Sequence, residues 1–190
     1  MDTAGTTTAN GFAILQDQEQ QIQEAKEVEE MQGRLNRSNK QREVQVVGST
    51  HLFLCTFVYG YNEATARNIL WRDLIDIANN SSLCWLVLGD FNNVLNFNER
   101  IGAPIREKEI KDFRQCLQMC SLTDIESFGN FNTWNNKQDA ETRVYSKIDW
   151  ALGNMKWLQK FENSAAQFLP EGDFDHSPII VHLFQEEHSG

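Results

Sequence analysis

Three polar insertions interrupt otherwise apolar stretches of this sequence, and each carries side chains that can hold protons or metal ions. Asp90 and Asn92 follow one apolar run, and Asp149 lies inside a second. Asp175 and His176 stand directly before a third run, which begins at a proline. Carboxylates suit a hard divalent cation, and a histidine held by an acceptor on one ring nitrogen suits proton transfer. The combination is typical of a metal-assisted site.

Each insertion also has an ordinary structural interpretation. Asp90 can start a turn, because Asp and Asn are good turn residues. Strand alternation places Asp149 on one face with Tyr145 and Lys147, and that face can belong to a solvated edge strand. His176 can sit in a loop without any role. Both interpretations stay open for each insertion, and the order of the three along the chain favours a site.

Strands and amphipathic helices alternate in the part of the chain that carries these residues. Apolar runs at 51–61 and 83–91 predict buried strands. Segments 131–136 and 142–152 also predict strands, as do two late apolar runs. Helices are predicted at 63–80, 106–120 and 154–161. The first has a predicted buried face of Ala66, Ile69, Leu70, Leu74 and Ile77, and the second one of Ile110, Phe113, Leu117 and Cys120. This alternation predicts an α/β layered fold with helices covering the sheets.

Composition excludes several classes of protein. The 190 residues have room for about one domain, and their net charge of −10 argues against a simple electrostatic clamp on nucleic acid. A bound divalent cation would offset the carboxylates of a metal-dependent enzyme. The sequence predicts no membrane span, no secretory signal and no zinc site, so we expect an intracellular protein with reduced cysteines.

The N-terminal part differs in character from the rest. Residues 16–45 are rich in Gln, Glu and Lys, with few apolar residues. We therefore expect a polar, disordered tail over residues 1–45, with a docked helix as the alternative. The folded domain is predicted over residues 46–190.

Four short sequence motifs resemble those of the endonuclease/exonuclease/phosphatase (DNase I-like) superfamily. They are "GDFNNVLNFNERIG" at 89–102, "FNTWNN" at 131–136, "SKIDWALGNMKW" at 146–157 and "DHSP" at 175–178. Their wording is similar to the endonuclease domain of plant LINE-type non-LTR retrotransposon polyproteins. The resemblance covers about residues 50–184, and it implies a four-layered α/β sandwich that hydrolyses phosphodiesters with a metal ion.

The same resemblance implies a role for each residue in the motifs. His176 would sit against the scissile phosphate, and Asp149 would orient it and stabilise its charge. Asp90 would hold or activate the attacking water, and Asn92 would contact the phosphate or that water. Asp175 would help to bind Mg²⁺ or Mn²⁺.

Further expectations follow from the resemblance. Tyr59 and Asn62, in "VYGYN", match a strand-end Tyr and an Asn that lie near the phosphate, although aromatic residues end strands in many cores. DNA is the implied substrate and the nucleus the implied location, although the sequence has no basic nuclear-targeting run. Neither a membrane nor a specific protein partner is indicated.

The sequence departs from the family pattern at its N-terminal side. The first strand with its Asn, and the second strand with the Glu that is the principal metal ligand, have no counterpart here; Glu63 and Glu99 are the nearest substitutes in kind. We therefore expect an incomplete sandwich that lacks its first strands, with an unpaired edge and an uncovered apolar face. Two main hypotheses follow: a metal-dependent endonuclease of retroelement origin, or a catalytically impaired remnant that retains nucleic-acid or protein binding. A phosphatase of the same superfamily is less favoured, because no basic cluster for a polyphosphorylated ligand is present.

Overall fold

The computed structural model describes residues 40–45 and 52–183, which form eleven strands, three α-helices and one 3-10 turn. The predicted N-terminal tail up to residue 39 lies outside the described residues. The helices are α1 Ala64–Asn80, α2 Glu107–Cys120 and α3 Met155–Lys160, and the 3-10 turn is Phe97–Glu99. The strands are β1 Lys40–Gln45, β2 Leu52–Tyr59, β3 Trp85–Asp90, β4 Arg100–Ile101, β5 Leu122–Asp124, β6 Glu126–Gly129, β7 Trp134–Asn135, β8 Tyr145–Ser146, β9 Asp149–Asn154, β10 Ala165–Phe168 and β11 Ile179–His182.

A five-stranded sheet with the order β1-β2-β3-β9-β5 forms the centre of the molecule. Strands β2 and β3 run parallel, as expected for two strands joined by a crossover helix. The other three pairings in this sheet are antiparallel. Strands β3 and β9 occupy interior positions and are rich in apolar residues, because both faces of the sheet are covered.

Helices α1 and α2 cover one face of this sheet. Their apolar residues pack with Trp85 and Trp150 in a core that includes a stack of Trp71 on Phe113, with ring centroids 4.9 Å apart. The predicted buried face of α2 is confirmed, since Ile110, Phe113, Leu117 and Cys120 are all buried. The face predicted for α1 is wrong at Ile69, which is 48% exposed, while Arg67 and Trp71 are buried instead.

The opposite face of the main sheet packs against a second sheet with the order β11-β10-β6. Helix α3 contributes Trp157 to this interface, where its ring lies edge-on to Phe53. The described residues thus form three layers: helices, the main sheet and the second sheet. A helical layer outside the second sheet is not present within residues 40–45 and 52–183.

Strand β1 is an element that the sequence did not predict. Residues 40–45 fall in the segment expected to be a polar tail, yet all six pair with residues 52–57 of β2, from Lys40 opposite Phe57 to Gln45 opposite Leu52. Backbone hydrogen bonds define such an edge strand, and composition carries little information about them. The outer edge of β2 is therefore paired.

The predicted single strand over 142–152 is wrong. The chain leaves β8 after Ser146 and enters β9 at Asp149. Strand β8 belongs to a third, three-stranded sheet with the order β4-β8-β7, whereas β9 belongs to the main sheet. Alternation fails here because Ser146, Lys147, Ile148 and Asp149 are all buried. Lys147 forms an ion pair with Asp124 at 2.7 Å, so it does not accompany Asp149.

Candidate active site

Three of the predicted residues share one row at the end of the main sheet. Tyr59 on β2 is in register with Asp90 on β3, and Asp90 is in register with Asp149 on β9. Residues directly opposite each other in adjacent strands place their side chains close together. The pairing of β3 with β9 therefore brings two carboxylates together from distant parts of the sequence.

The polar end of β3 is both a turn and part of this site. The Asp90 Oδ1 atom accepts a hydrogen bond from the Asn92 backbone N–H at 2.7 Å, which closes an Asx turn. Asn92 has a positive φ of 50°, a conformation that asparagine tolerates better than most residues. Its side-chain Nδ2 donates to Asp90 Oδ2 at 2.8 Å and to the Gly60 carbonyl at 2.9 Å. Asp90 and Asn92 thus form one rigid unit.

Asp149 and His176 form a hydrogen-bonded pair beside that unit. The His176 Nδ1 atom lies 3.1 Å and 3.0 Å from the two Asp149 carboxylate oxygens. Because Asp149 is an acceptor, it favours the tautomer with a proton on Nδ1 and leaves Nε2 for a substrate. The side chain of His176 is one-third exposed and that of Asp149 is buried, so the imidazole is the accessible member of the pair.

A buried threonine connects the two segments that carry this pair. The Thr133 hydroxyl accepts hydrogen bonds from the backbone N–H groups of Ile148 and Asp149, at 3.1 Å and 3.0 Å. Its carbonyl accepts from the Ser177 backbone N–H at 2.7 Å. The next residue, Trp134, forms a β-bridge with His176.

The surroundings of His176 favour its protonated form. Burial lowers its pKa, but the hydrogen bond to Asp149 and the negative charges of Asp149, Asp90 and Asp175 outweigh that effect. The net pKa is therefore raised above the ordinary histidine value. An imidazolium beside a phosphate would stabilise negative charge.

The ligand atoms of Asp90, Asp149 and His176 all lie within 4.8 Å of one another. Two buried carboxylates this close repel each other unless a cation or a proton lies between them. The oxygens of Asp90 and Asp149 are also of the type that a hard divalent cation prefers, so this donor set could hold one.

The remaining predicted residues lie at the edge of this group or outside it. Asp175 is exposed and accepts a hydrogen bond from the Trp134 indole N–H at 3.2 Å, and it is not a member of the three-residue group. Tyr59 is about half exposed at the end of its strand. Asn62 is exposed in the following loop, where its carbonyl accepts a hydrogen bond from Arg67 at 2.8 Å.

The two substitute carboxylates do not join the group. Glu99 is buried and accepts hydrogen bonds from the backbone N–H groups of Leu95 and Asn96 and from the Asn96 side chain, which makes it a cap of the 3-10 turn. Glu63 is exposed and precedes α1 at its N-cap position. Among the described residues, neither of them is in the group with Asp90, Asp149 and His176.

Two supporting residues were missed by the sequence analysis. Thr133 lies inside "FNTWNN", and its role depends on contacts with residues 15 and 16 positions away. Arg67 reads as a polar position on a helix, yet it is buried and bonded to Glu109 on α2. The position of Thr133 inside a motif of the family was a sequence signal that could have identified it. Only the packing of the two helices identifies the second.

The solved structures that resemble this chain include an endonuclease domain and a toxin. The endonuclease domain of TRAS1, a telomere-specific non-LTR retrotransposon, is 12% identical with a TM-score of 0.56, and the match covers 77% of this chain and 64% of that one. Beta toxin 275-280 from Staphylococcus aureus is 15% identical with a TM-score of 0.55, covering 77% of this chain and 57% of that one. No protein-family model matches the chain.

The fold is the DNase I-like α/β sandwich. Sequence identities this low show a shared fold and not a shared activity, because one fold can host many different chemistries. The chain spans less than two thirds of the length of either structure.

Proposed function

We propose that this chain hydrolyses phosphodiester bonds in DNA, as a metal-dependent endonuclease of retroelement origin. The observation that carries the proposal is the convergence of Asp90, Asp149 and His176 within 4.8 Å at the end of the main sheet. The retroelement origin is supported by the four sequence motifs and by the likeness to the TRAS1 endonuclease domain. Such work on DNA would place the protein in the nucleus.

Each residue has a task that its contacts support. His176, oriented by Asp149, would donate from Nε2 to an oxygen of the scissile phosphate. Asp90, whose carboxylate is fixed by Asn92, would hold and orient the attacking water. Tyr59, in register with Asp90, would contact the same phosphate from the neighbouring strand.

The cation would be Mg²⁺ or Mn²⁺, held by Asp90 and Asp149. When bound, it would polarise a phosphoryl oxygen and offset the developing negative charge. Oxygen ligands suit these hard ions, so the imidazole remains available for the phosphate. The role of Asp175 as a ligand stays a prediction.

The acidity of the chain bears on how DNA would bind. With 27 acidic and 17 basic residues, the protein has no general attraction for a polyanion. Affinity would therefore come from the cation and from local contacts around the site. We expect binding to require the divalent cation.

Nicking of supercoiled plasmid by the purified chain tests the proposal. We expect nicking with Mg²⁺ or Mn²⁺, none with EDTA, and a loss of about 100-fold or more in Asp149→Asn and His176→Gln. His182→Gln is the matched control, since His182 lies in the second sheet and bonds to Gln167.

The alternative function is an impaired remnant that binds nucleic acid without cleaving it. It is favoured because neither Glu63 nor Glu99 lies in the group of Asp90, Asp149 and His176, so no glutamate among the described residues replaces the metal ligand expected from the family pattern. Cation-dependent binding of DNA by a folded protein that does not nick would support this alternative and refute the endonuclease.

A further inference from the structure

We propose that Arg67 is a positioning residue for the loop 60–62 and, through that loop, for Asn92 and Asp90. The inference rests on the proposed function and deepens it. Arg67 lies in the first turn of α1 and is only 2% exposed. A buried guanidinium with no role in substrate contact needs a full set of acceptors, and the identity of those acceptors shows what it holds in place.

The guanidinium of Arg67 divides its hydrogen bonds between the loop and the second helix. Its Nη1 donates to the carbonyls of Tyr61 and Asn62, at 3.0 Å and 2.8 Å. Its Nη2 donates to Glu109 Oε2 at 2.5 Å. The planar fork of arginine fixes the directions of these bonds relative to one another. The loop is therefore held in a set position relative to α2.

The same loop is bonded to the end of β3. The Gly60 N–H donates to the Asp90 carbonyl at 2.6 Å, and the Gly60 carbonyl accepts from Asn92 Nδ2 at 2.9 Å. A Cβ atom at Gly60 would lie 2.6 Å from the Phe91 carbonyl oxygen, so the two segments are in close backbone contact. A shift of the loop would move the acceptor that orients Asn92, and Asn92 orients the Asp90 carboxylate.

The ion pair with Glu109 has a simpler explanation, which is to hold α1 against α2. Buried ion pairs can often be replaced by apolar residues without loss of stability. A double variant, Arg67→Met with Glu109→Leu, therefore separates the two roles. It keeps an apolar contact between the helices and removes both donors to the loop carbonyls.

The test compares this double variant with the native 190-residue chain in three measurements: urea unfolding, amide hydrogen exchange over residues 60–62, and the kcat of plasmid nicking with Mg²⁺. We expect near-native stability, exchange at least about tenfold faster, and a kcat lower by about 100-fold because a site misplaced by about 1 Å loses that much. Arg67→Lys, which keeps the charge but not the fork, should give intermediate values. Arg72→Met, an exposed arginine on the same helix, is the matched control and should match the native chain.

Native exchange and native kcat in the double variant would overturn the inference. Failure of the double variant to fold would also overturn it, because the ion pair would then serve chiefly to join the helices. If the native chain itself does not nick, the proposed function fails. The amide exchange of residues 60–62 then tests the role of Arg67 on its own. Faster exchange would then uphold the role of Arg67 in placing the loop, and unchanged exchange would refute it.

Discussion

Thr133 connects the two halves of the histidine–aspartate pair, through its hydroxyl on one side and its backbone carbonyl on the other. Its hydroxyl oxygen accepts two backbone N–H groups at the start of β9, and its carbonyl holds the Ser177 amide beside His176. The residue is buried, so water does not replace these bonds easily. The position of Asp149 therefore depends on a residue that is itself shielded from solvent.

Thr133→Val keeps the shape of this side chain and removes its oxygen. Two buried N–H groups would lose their acceptor, and we expect the free energy of unfolding to fall by about 2 to 4 kcal/mol. Urea unfolding measures the change. Thr133→Ser, which keeps the oxygen, should lose much less, and equal losses in both variants would contradict the assignment.

The raised pKa of His176 predicts a pH dependence of stability. Because the folded state binds the proton more tightly than the unfolded state, the stabilisation is fully present below the unfolded pKa of about 6.5 and is lost as pH rises through the raised folded pKa. In EDTA, the stability difference between the native chain and His176→Gln should shrink as pH rises. Unfolding curves from about pH 5.5 to about pH 8.5 test this. A stability difference between the two proteins that grows with pH would contradict the raised pKa.

Single residues of the site differ in how far sequence predicts them. The sequence indicated Asp90, Asp149 and His176 because a polar side chain at the end of an apolar run is conspicuous. Arg67 was not predicted, because its acceptors include Glu109, 42 positions away on another helix. Local pattern carries no information about such a contact.

At the scale of elements, α1 shows where apolar spacing and real packing diverge. Ile69 satisfies the helical spacing, yet Arg67 and Trp71 take the buried positions around Leu70 and Leu74. Helix α1 packs against α2 as well as against the sheet, so its buried face is turned toward both. The direction of that face depends on where α2 lies, and the sequence of α1 alone carries no information about the position of α2.

Two adjacent alanine substitutions test the buried face of α1. Leu70→Ala should lower the free energy of unfolding by about 2 to 5 kcal/mol, because it leaves a cavity in the core. Ile69→Ala should change it by less than about 0.5 kcal/mol, because the side chain is largely exposed. Denaturant unfolding of both variants gives the comparison, and similar losses would mean that the face is turned differently.

Strong, long periodic segments were predicted well, and short or interrupted ones were not. Strands β2 and β3 were predicted because each is an apolar run, and helices α1 and α2 because their apolar residues recur at helical spacing. The break between β8 and β9 was missed, since four consecutive buried residues follow from contacts on both sides of the chain. Strand β1 was missed because its partner supplies the hydrogen bonds.

At the scale of the whole molecule, the layers leave one sheet with an open outer face. The second sheet is covered by the main sheet on its inner side, and Phe128 on its other side is 49% exposed and stacks on His182. Within residues 40–45 and 52–183, no helix packs there. None of the described helices combines the length and apolarity needed to cross a bilayer.

Reactivity of the four free thiols tests the layered arrangement as a whole. Burial raises the pKa of Cys55 to about 12. Cys116 and Cys120 are also buried, whereas Cys84 is half-buried. An alkylating reagent at about pH 8 should modify Cys84 first, because the thiolate is the reactive form and the others are shielded. Mass spectrometry after timed labelling measures the order. Early modification of Cys55 would be inconsistent with the packing of the two sheets.

The pairing of β3 with β9 also governs the order in which the molecule can fold. Helices α1 and α2 are built from local contacts and can form within microseconds. The site needs contacts over long separations, such as the bond from the Trp150 indole to the Asn93 carbonyl, which spans 57 residues, and the His176–Asp149 pair, which spans 27. Long-range closure is slow. A refolding chain would thus regain its helical signal before His176 meets Asp149, and the formation of that pair would mark a late step of folding.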